Sequence, residues 1–135
     1  MTRSKFFFDR CCPPKLASVV RAFDDDHEIR HFSEDSRFPD DADDVVWIPQ
    51  LAKDNSGWVI VSMDAKILKR PHERQALINS GLPFFLLGSS WMAMPMHDKC
   101  WKLLKIWPDV VRTALESRHL IFEIMGGSSL KIEPK

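Results

Sequence analysis

Two carboxylates, Asp9 and Asp64, each close a short apolar run: Lys5-Phe6-Phe7-Phe8-Asp9 and Trp58-Val59-Ile60-Val61-Ser62-Met63-Asp64. If the two runs are parallel neighbours, both acids point into one crevice, where like charges repel unless a cation or a shared proton relieves them. A divalent cation gathered in this way offsets charge on a phosphate and activates a water. Taken singly, an Asp is also a good residue for ending a strand and capping the helix after it. It is the pair that points to a site.

Other chemistries lack their motifs. The chain has no Gly-x-x-x-x-Gly-Lys-Ser/Thr phosphate loop, no Gly-x-Gly-x-x-Gly after the first run and no Gly-x-Ser-x-Gly elbow. Cys11 follows a strand and opens a helix, a position that lowers a thiol pKa, although a small buried hydrophobe is the plainer reading. The five histidines show no paired metal spacing, and His72 and His97 are expected on helix surfaces.

The elements that position the acids follow from the apolar pattern. Trp58 to Asp64 is a continuous Val/Ile run rather than an alternating one, which implies a strand buried on both faces in the middle of a parallel sheet. Ligands of such open sheets bind just beyond the carboxyl ends of the strands. Pro13-Pro14 opens a helix carrying Leu16, Val19, Val20 and Phe23 at helical spacing. His27–Phe32 is a second strand. The acidic stretch from Ser33 to Asp44 reads mostly as loop. Val45, Trp47, Ile48, Leu51 and Ala52 form a short helix that either starts near Asp44 or is broken at Pro49. Asp54-Asn55-Ser56-Gly57 is a turn. Pro71–Ile78 is a helix, and Leu82–Leu87 a fourth strand. Trp91–Pro95 is an apolar loop, and His97–Ser117 a long amphipathic region with a break near Pro108. Leu120–Met125 is a fifth strand, and 126–135 a C-terminal tail. This alternation predicts a single domain over 1–135, a three-layer α/β/α fold with a mainly parallel sheet of four or five strands.

Composition narrows the function classes. The 135 residues suffice for one core, and 19 basic residues balance 19 acidic ones, so no global field argues for nucleic acid or membrane. The balance is not local: ten acids lie between Asp24 and Asp44, and eleven basic residues follow Asp64. Three cysteines without metal-ligand spacing fit a reduced, cytoplasmic protein. The longest apolar stretch, Leu82–Met96, is interrupted by Pro83, Gly88 and Pro95 and is too short to span a bilayer.

Four segments in order carry a family resemblance: Phe6-Phe7-Phe8-Asp9-Arg10-Cys11; Asp44-Val45-Val46-Trp47-Ile48-Pro49-Gln50-Leu51; Gly57-Trp58-Val59-Ile60-Val61-Ser62-Met63-Asp64-Ala65-Lys66-Ile67; and Arg70-Pro71-His72-Glu73-Arg74-Gln75-Ala76-Leu77. Together they resemble the successive motifs of PIN-like domains, in the compact bacterial branch related to VapC-type toxin ribonucleases. The resemblance implies an endoribonuclease in which acids hold Mg²⁺ or Mn²⁺ and cut a phosphodiester. By position Asp9, Asp44 and Asp64 match the family's acids, and Glu73 and Asp98 are candidates for the fourth. It also implies a cognate antitoxin protein as partner, and leaves a homodimer open. Basic residues close to the acids, Arg10, Lys15, Lys66, Lys69, Arg70 and Arg74, are candidates for holding the RNA backbone. Arg10 and Lys66 stand out because each adjoins an expected metal ligand.

Two other classes stay in play. One is a non-catalytic PIN-like module that binds RNA or protein through a degraded site. The other is a phosphoacceptor receiver domain, with Ser89 or Ser90 as the hydroxyl after the fourth strand. A receiver also needs a second acid beside the first and a lysine ending the fifth strand, and Arg10 and Gly126 stand there instead.

Overall fold

The computed structural model describes residues 4–54, 57–118 and 120–135. Its elements alternate as β1 (Lys5–Phe8), α1 (Pro14–Phe23), β2 (Glu28–His31), α2 (Asp44–Ala52), β3 (Trp58–Ser62), α3 (Pro71–Ser80), β4 (Phe84–Leu87), α4 (Met96–Glu116), β5 (Ile121–Gly126) and β6 (Leu130–Pro134). The sheet order is β2-β1-β3-β4-β5-β6, parallel throughout except for the last pair. The expected three-layer α/β/α architecture with a mainly parallel sheet is what forms.

Strand residues divide between two cores because successive side chains point to opposite faces. Phe6, Phe8, Val59, Val61, Phe85 and Leu87 pack with α1 and α4, through Leu16, Val20, Leu103, Ile106, Trp107 and Val110. Phe7, Trp58, Ile60, Phe84 and Leu86 pack with α2 and α3, through Trp47, Ile48, Leu51 and Leu77. All five residues of β3 are buried, so the unbroken apolar run is what a strand covered on both faces requires. With α4 on the same face as α1, the β4–α4–β5 connection turns in the opposite hand to the three crossovers before it, an exception to the usual uniformity. Trp91 pins this crossing from full burial, its Nε1 donating to the carbonyl of Ile124 at 2.9 Å. A Cβ on Gly126 would lie 2.5 Å from that indole, so only glycine fits there.

Three local expectations are corrected or resolved. α4 runs unbroken through Pro108. The proline is on the exposed side of the helix, where water can serve the carbonyl one turn back that loses its donor. One residue earlier, Trp107 is buried and its Nε1 donates to Asp24 at 2.8 Å, which clamps the helix across the would-be kink. α2 starts at Asp44 and contains Pro49 without breaking. The tail is not a tail throughout, because Leu130–Pro134 adds a sixth strand antiparallel to β5. Leu130 and Ile132 pack against the core while Lys131 and Glu133 pair in solvent at 2.8 Å. Charged side chains and Pro134 then blunt this edge of the sheet. In the turn expected at Asp54–Gly57, Asn55 and Ser56 lie outside the described residues, and Gly57 has φ +66°.

β1 leads through α1 to β2 on one side, and β3 leads through α3 to β4 on the other. The carboxyl ends of β1 and β3 therefore flank the point where the connections diverge, the usual place for a ligand crevice in such sheets. No helix among the described residues is long and apolar enough to cross a membrane.

Candidate active site

β1 and β3 align Phe8 with Val61, so Asp9, one residue on, comes level with Ser62. The Asp9 backbone N–H continues the ladder to the Val61 carbonyl at 2.8 Å. Asp9 is 3% exposed. Its Oδ1 accepts the Arg10 backbone N–H at 2.7 Å, and its Oδ2 accepts the Ser62 hydroxyl at 3.0 Å. Ser62 is completely buried, and its oxygen also accepts the Asp64 backbone N–H at 3.0 Å. One hydroxyl thus ties the two strand-end acids together. Asp64 caps the short 3-10 turn Ala65–Leu68 by accepting the Lys66 backbone N–H at 3.1 Å.

α2 and α3 each bring an acid in their first turn, Asp44 and Glu73, where the positive end of a helix favours a carboxylate. Asp44 is 8% exposed, and Trp47, one turn on and fully buried, donates its indole N–H to Asp44 Oδ1 at 2.8 Å. That contact aims the acid inward. Arg70, the residue before α3, reaches over all of this: its Nη1 is 2.5 Å from Glu73 Oε2, 3.6 Å from Asp64 Oδ2 and 4.0 Å from Asp44 Oδ2. Arg10 approaches Asp44 from the other side, with Nη2 3.5 Å from Oδ1. Its own position is fixed by a 2.6 Å hydrogen bond to the Asp40 carbonyl and by stacking over Phe32 at 5.1 Å.

The electrostatics follow from this crowding. Burial pushes the Asp9 carboxyl above its ordinary range and the Asp44 carboxylate adds to it, while Ser62, the Arg10 N–H and Cys11 oppose the shift. Asp44 is raised too, first by burial. There the Trp47 indole and Arg10 pull it down, and Glu73 and Asp64 push it up. Beside them, the exposed Cys11 accepts the Met63 N–H at 3.2 Å, and its thiol is lowered, first through Cys12. Cys12 is buried as a small hydrophobe, with its pKa pushed well up.

Of the sequence-derived candidates, Asp9, Asp44, Asp64 and Glu73 are brought together, with Arg10 and Arg70 among them. Asp98 instead opens α4 with partners of its own, Trp101 at 3.2 Å and His97 at 3.3 Å. Lys66, Lys69 and Arg74 are exposed on the segments that carry Asp64 and Glu73, without an ion pair to an acid among the described residues. His72 and His97 are on helix surfaces, as expected. Ser62 was missed. The signal for it was available, since aligning the carboxyl ends of the two runs places a polar residue at the end of β3 beside Asp9.

Among the described residues no three His, Cys, Asp or Glu side chains chelate as they stand. The donor chemistry nevertheless fits a hard divalent cation: every donor is a carboxylate oxygen, and two of the acids are raised by burial and mutual repulsion. Three of them already converge on a positive group, the Arg70 guanidinium.

A family model described as a PIN-like domain matches residues 4–89, a span that contains Asp9, Asp44, Asp64 and Glu73 and stops short of Asp98. Comparison with curated proteins and with solved structures returns no match.

Proposed function

Because the chain belongs to the PIN-like domain family, we propose that it is a metal-dependent endoribonuclease of the VapC-toxin type, cytoplasmic and held in check by a cognate antitoxin. The observation that carries the reading is the convergence of Asp44, Asp64 and Glu73 on one cationic nitrogen beside the buried Asp9. Asp9, Asp44, Asp64 and Glu73 would hold Mg²⁺ or Mn²⁺, and the bound ion would supply charge neutralisation at the phosphate and a more acidic water.

The chain's own groups do the rest. Ser62 ties the Asp9 carboxylate to the Asp64 backbone and so keeps the two segments in register. The Trp47 indole fixes Asp44 before any ligand arrives. Lys66, Lys69 and Arg74 supply exposed cations for the flanking phosphates, a contact that positions the strand without reading its sequence. RNA rather than DNA rests on the family.

A second reading, a non-catalytic PIN-like module for RNA or protein, is favoured by one feature: Arg10 and Arg70 already neutralise part of the acid cluster. Incubating the purified protein with a mixed RNA pool separates the two. Cleavage with Mn²⁺ that stops on adding EDTA supports the enzyme; intact RNA in the presence of folded protein and Mn²⁺ supports the module.

A further inference from the structure

Arg70 is placed unlike the other cations near the site. Its Nη1 lies within 4.0 Å of three carboxylates carried by three different segments, and among the described residues no backbone carbonyl or aromatic ring holds it there. Arg10, by contrast, is anchored by the Asp40 carbonyl and Phe32. The Arg70 side chain is 45% exposed and emerges from the residue before α3, so it can swing out without disturbing the fold. Its backbone carbonyl, which accepts the Arg74 N–H at 2.9 Å, stays in place when the side chain moves.

A guanidinium and a divalent cation cannot share this space, since both are drawn by the same oxygens and repel each other. Resting on the metal-dependent reading above, we propose that Arg70 is the resident counter-ion of the acid cluster, that an incoming divalent cation displaces it, and that the freed guanidinium then grips a phosphate of the RNA. Arg70 is in this sense a positioning residue that couples cation entry to substrate binding. Without the ion the guanidinium offsets the repulsion among Asp44, Asp64 and Glu73. With it, the same planar fork of donors is released at the rim, and that geometry suits phosphate oxygens. Binding of the two ligands is then mutually favourable, because each draws on the same displacement.

The test uses the full chain and two titrations. Mn²⁺ is titrated calorimetrically into the wild type, Arg70→Ala and Arg70→Lys, each first shown to be folded by circular dichroism. Removing a unit charge that competes at 3.6 and 4.0 Å is expected to tighten Mn²⁺ binding roughly 5- to 30-fold in Arg70→Ala, while Arg70→Lys stays near the wild type. A short single-stranded RNA is then titrated with and without Ca²⁺, another ion that takes oxygen ligands. Ca²⁺ should strengthen RNA binding several-fold in the wild type and markedly less in Arg70→Ala. Equal or weaker Mn²⁺ binding by Arg70→Ala overturns the counter-ion role. Tighter Mn²⁺ binding with an unchanged effect of Ca²⁺ on RNA overturns the phosphate role. No Mn²⁺ binding by any of the three proteins overturns the metal-dependent reading, and the proposal with it.

Discussion

The Ser62 hydroxyl donates to the Asp9 carboxylate at 3.0 Å, across two neighbouring parallel strands and in full burial. The same oxygen accepts the Asp64 N–H, so replacing Ser62 by Ala takes one hydrogen bond from a buried carboxylate and one from a backbone donor at once. Ser62→Ala should destabilise the protein by about 1–3 kcal/mol, measured by urea denaturation. A variant as stable as the wild type would mean that the hydroxyl does not hold the two segments together.

Asp9 has a folded-state pKa above its unfolded value, so the native state binds its proton more tightly than the unfolded chain does. Stability from this group is therefore lost as pH rises through that window, and at pH 7 the charged carboxylate is a net burden. Asp9→Asn should melt a few degrees higher than the wild type at pH 7, with the gain shrinking as pH falls to the unfolded value near 3.8. Thermal melts across that range decide it, and an Asp9→Asn protein less stable at every pH would contradict the view that the charged carboxylate is penalised, first by burial and then by Asp44.

Asp35 runs in the opposite direction. Arg37 and Arg30 pair with it at 2.8 and 3.0 Å and hold its carboxyl down to about 2, Arg37 contributing most. The stabilisation is fully present above the unfolded value of 3.8 and is lost as pH falls toward 2. Asp35→Asn is expected to cost about 1–2 kcal/mol at pH 7, allowing for the partial exposure of both arginines, and almost nothing at pH 2. A deficit that persists unchanged at pH 2 would show that packing, not charge, is responsible.

Asp43 and Asp44 are adjacent, and only one is built into the site. Asp44 is buried and fixed by Trp47, while Asp43 is exposed and makes no side-chain cap. Mn²⁺ affinity measured by calorimetry should fall at least tenfold in Asp44→Asn and hold within about twofold in Asp43→Asn. The reverse pattern would move the ligand by one residue.

What could be read beforehand was whatever depends on pattern over several residues. The unbroken Trp58–Val61 run announced a central strand, and two acids at strand ends announced a shared edge. What could not be read depends on register or on reach. The sequence places Asp9 and Asp64 at one edge, and they are there, but the register that pairs Phe8 with Val61, and so sets Ser62 rather than Asp64 level with Asp9, is not legible beforehand. In sequence Arg70 is one candidate RNA-contacting cation among several, because nothing local says that its side chain crosses to Asp64 and Asp44. The four-residue alternation Leu130-Lys131-Ile132-Glu133 was visible but short, and it acquired meaning only with β5 beside it. At Pro108 the local rule was sound, and tertiary contacts at Trp107 overrode it.

The proposed enzyme uses the acids at the carboxyl edge of β1 and β3 to cut RNA with a cation. The most direct measurement compares the wild type with Asp9→Asn on one mixed RNA pool, with Mn²⁺ and with EDTA, both proteins shown to be folded. The wild type is expected to cleave with Mn²⁺ and to stop in EDTA, and Asp9→Asn to leave the pool intact in both. Equal cleavage by the two proteins, or cleavage that survives EDTA, would contradict it.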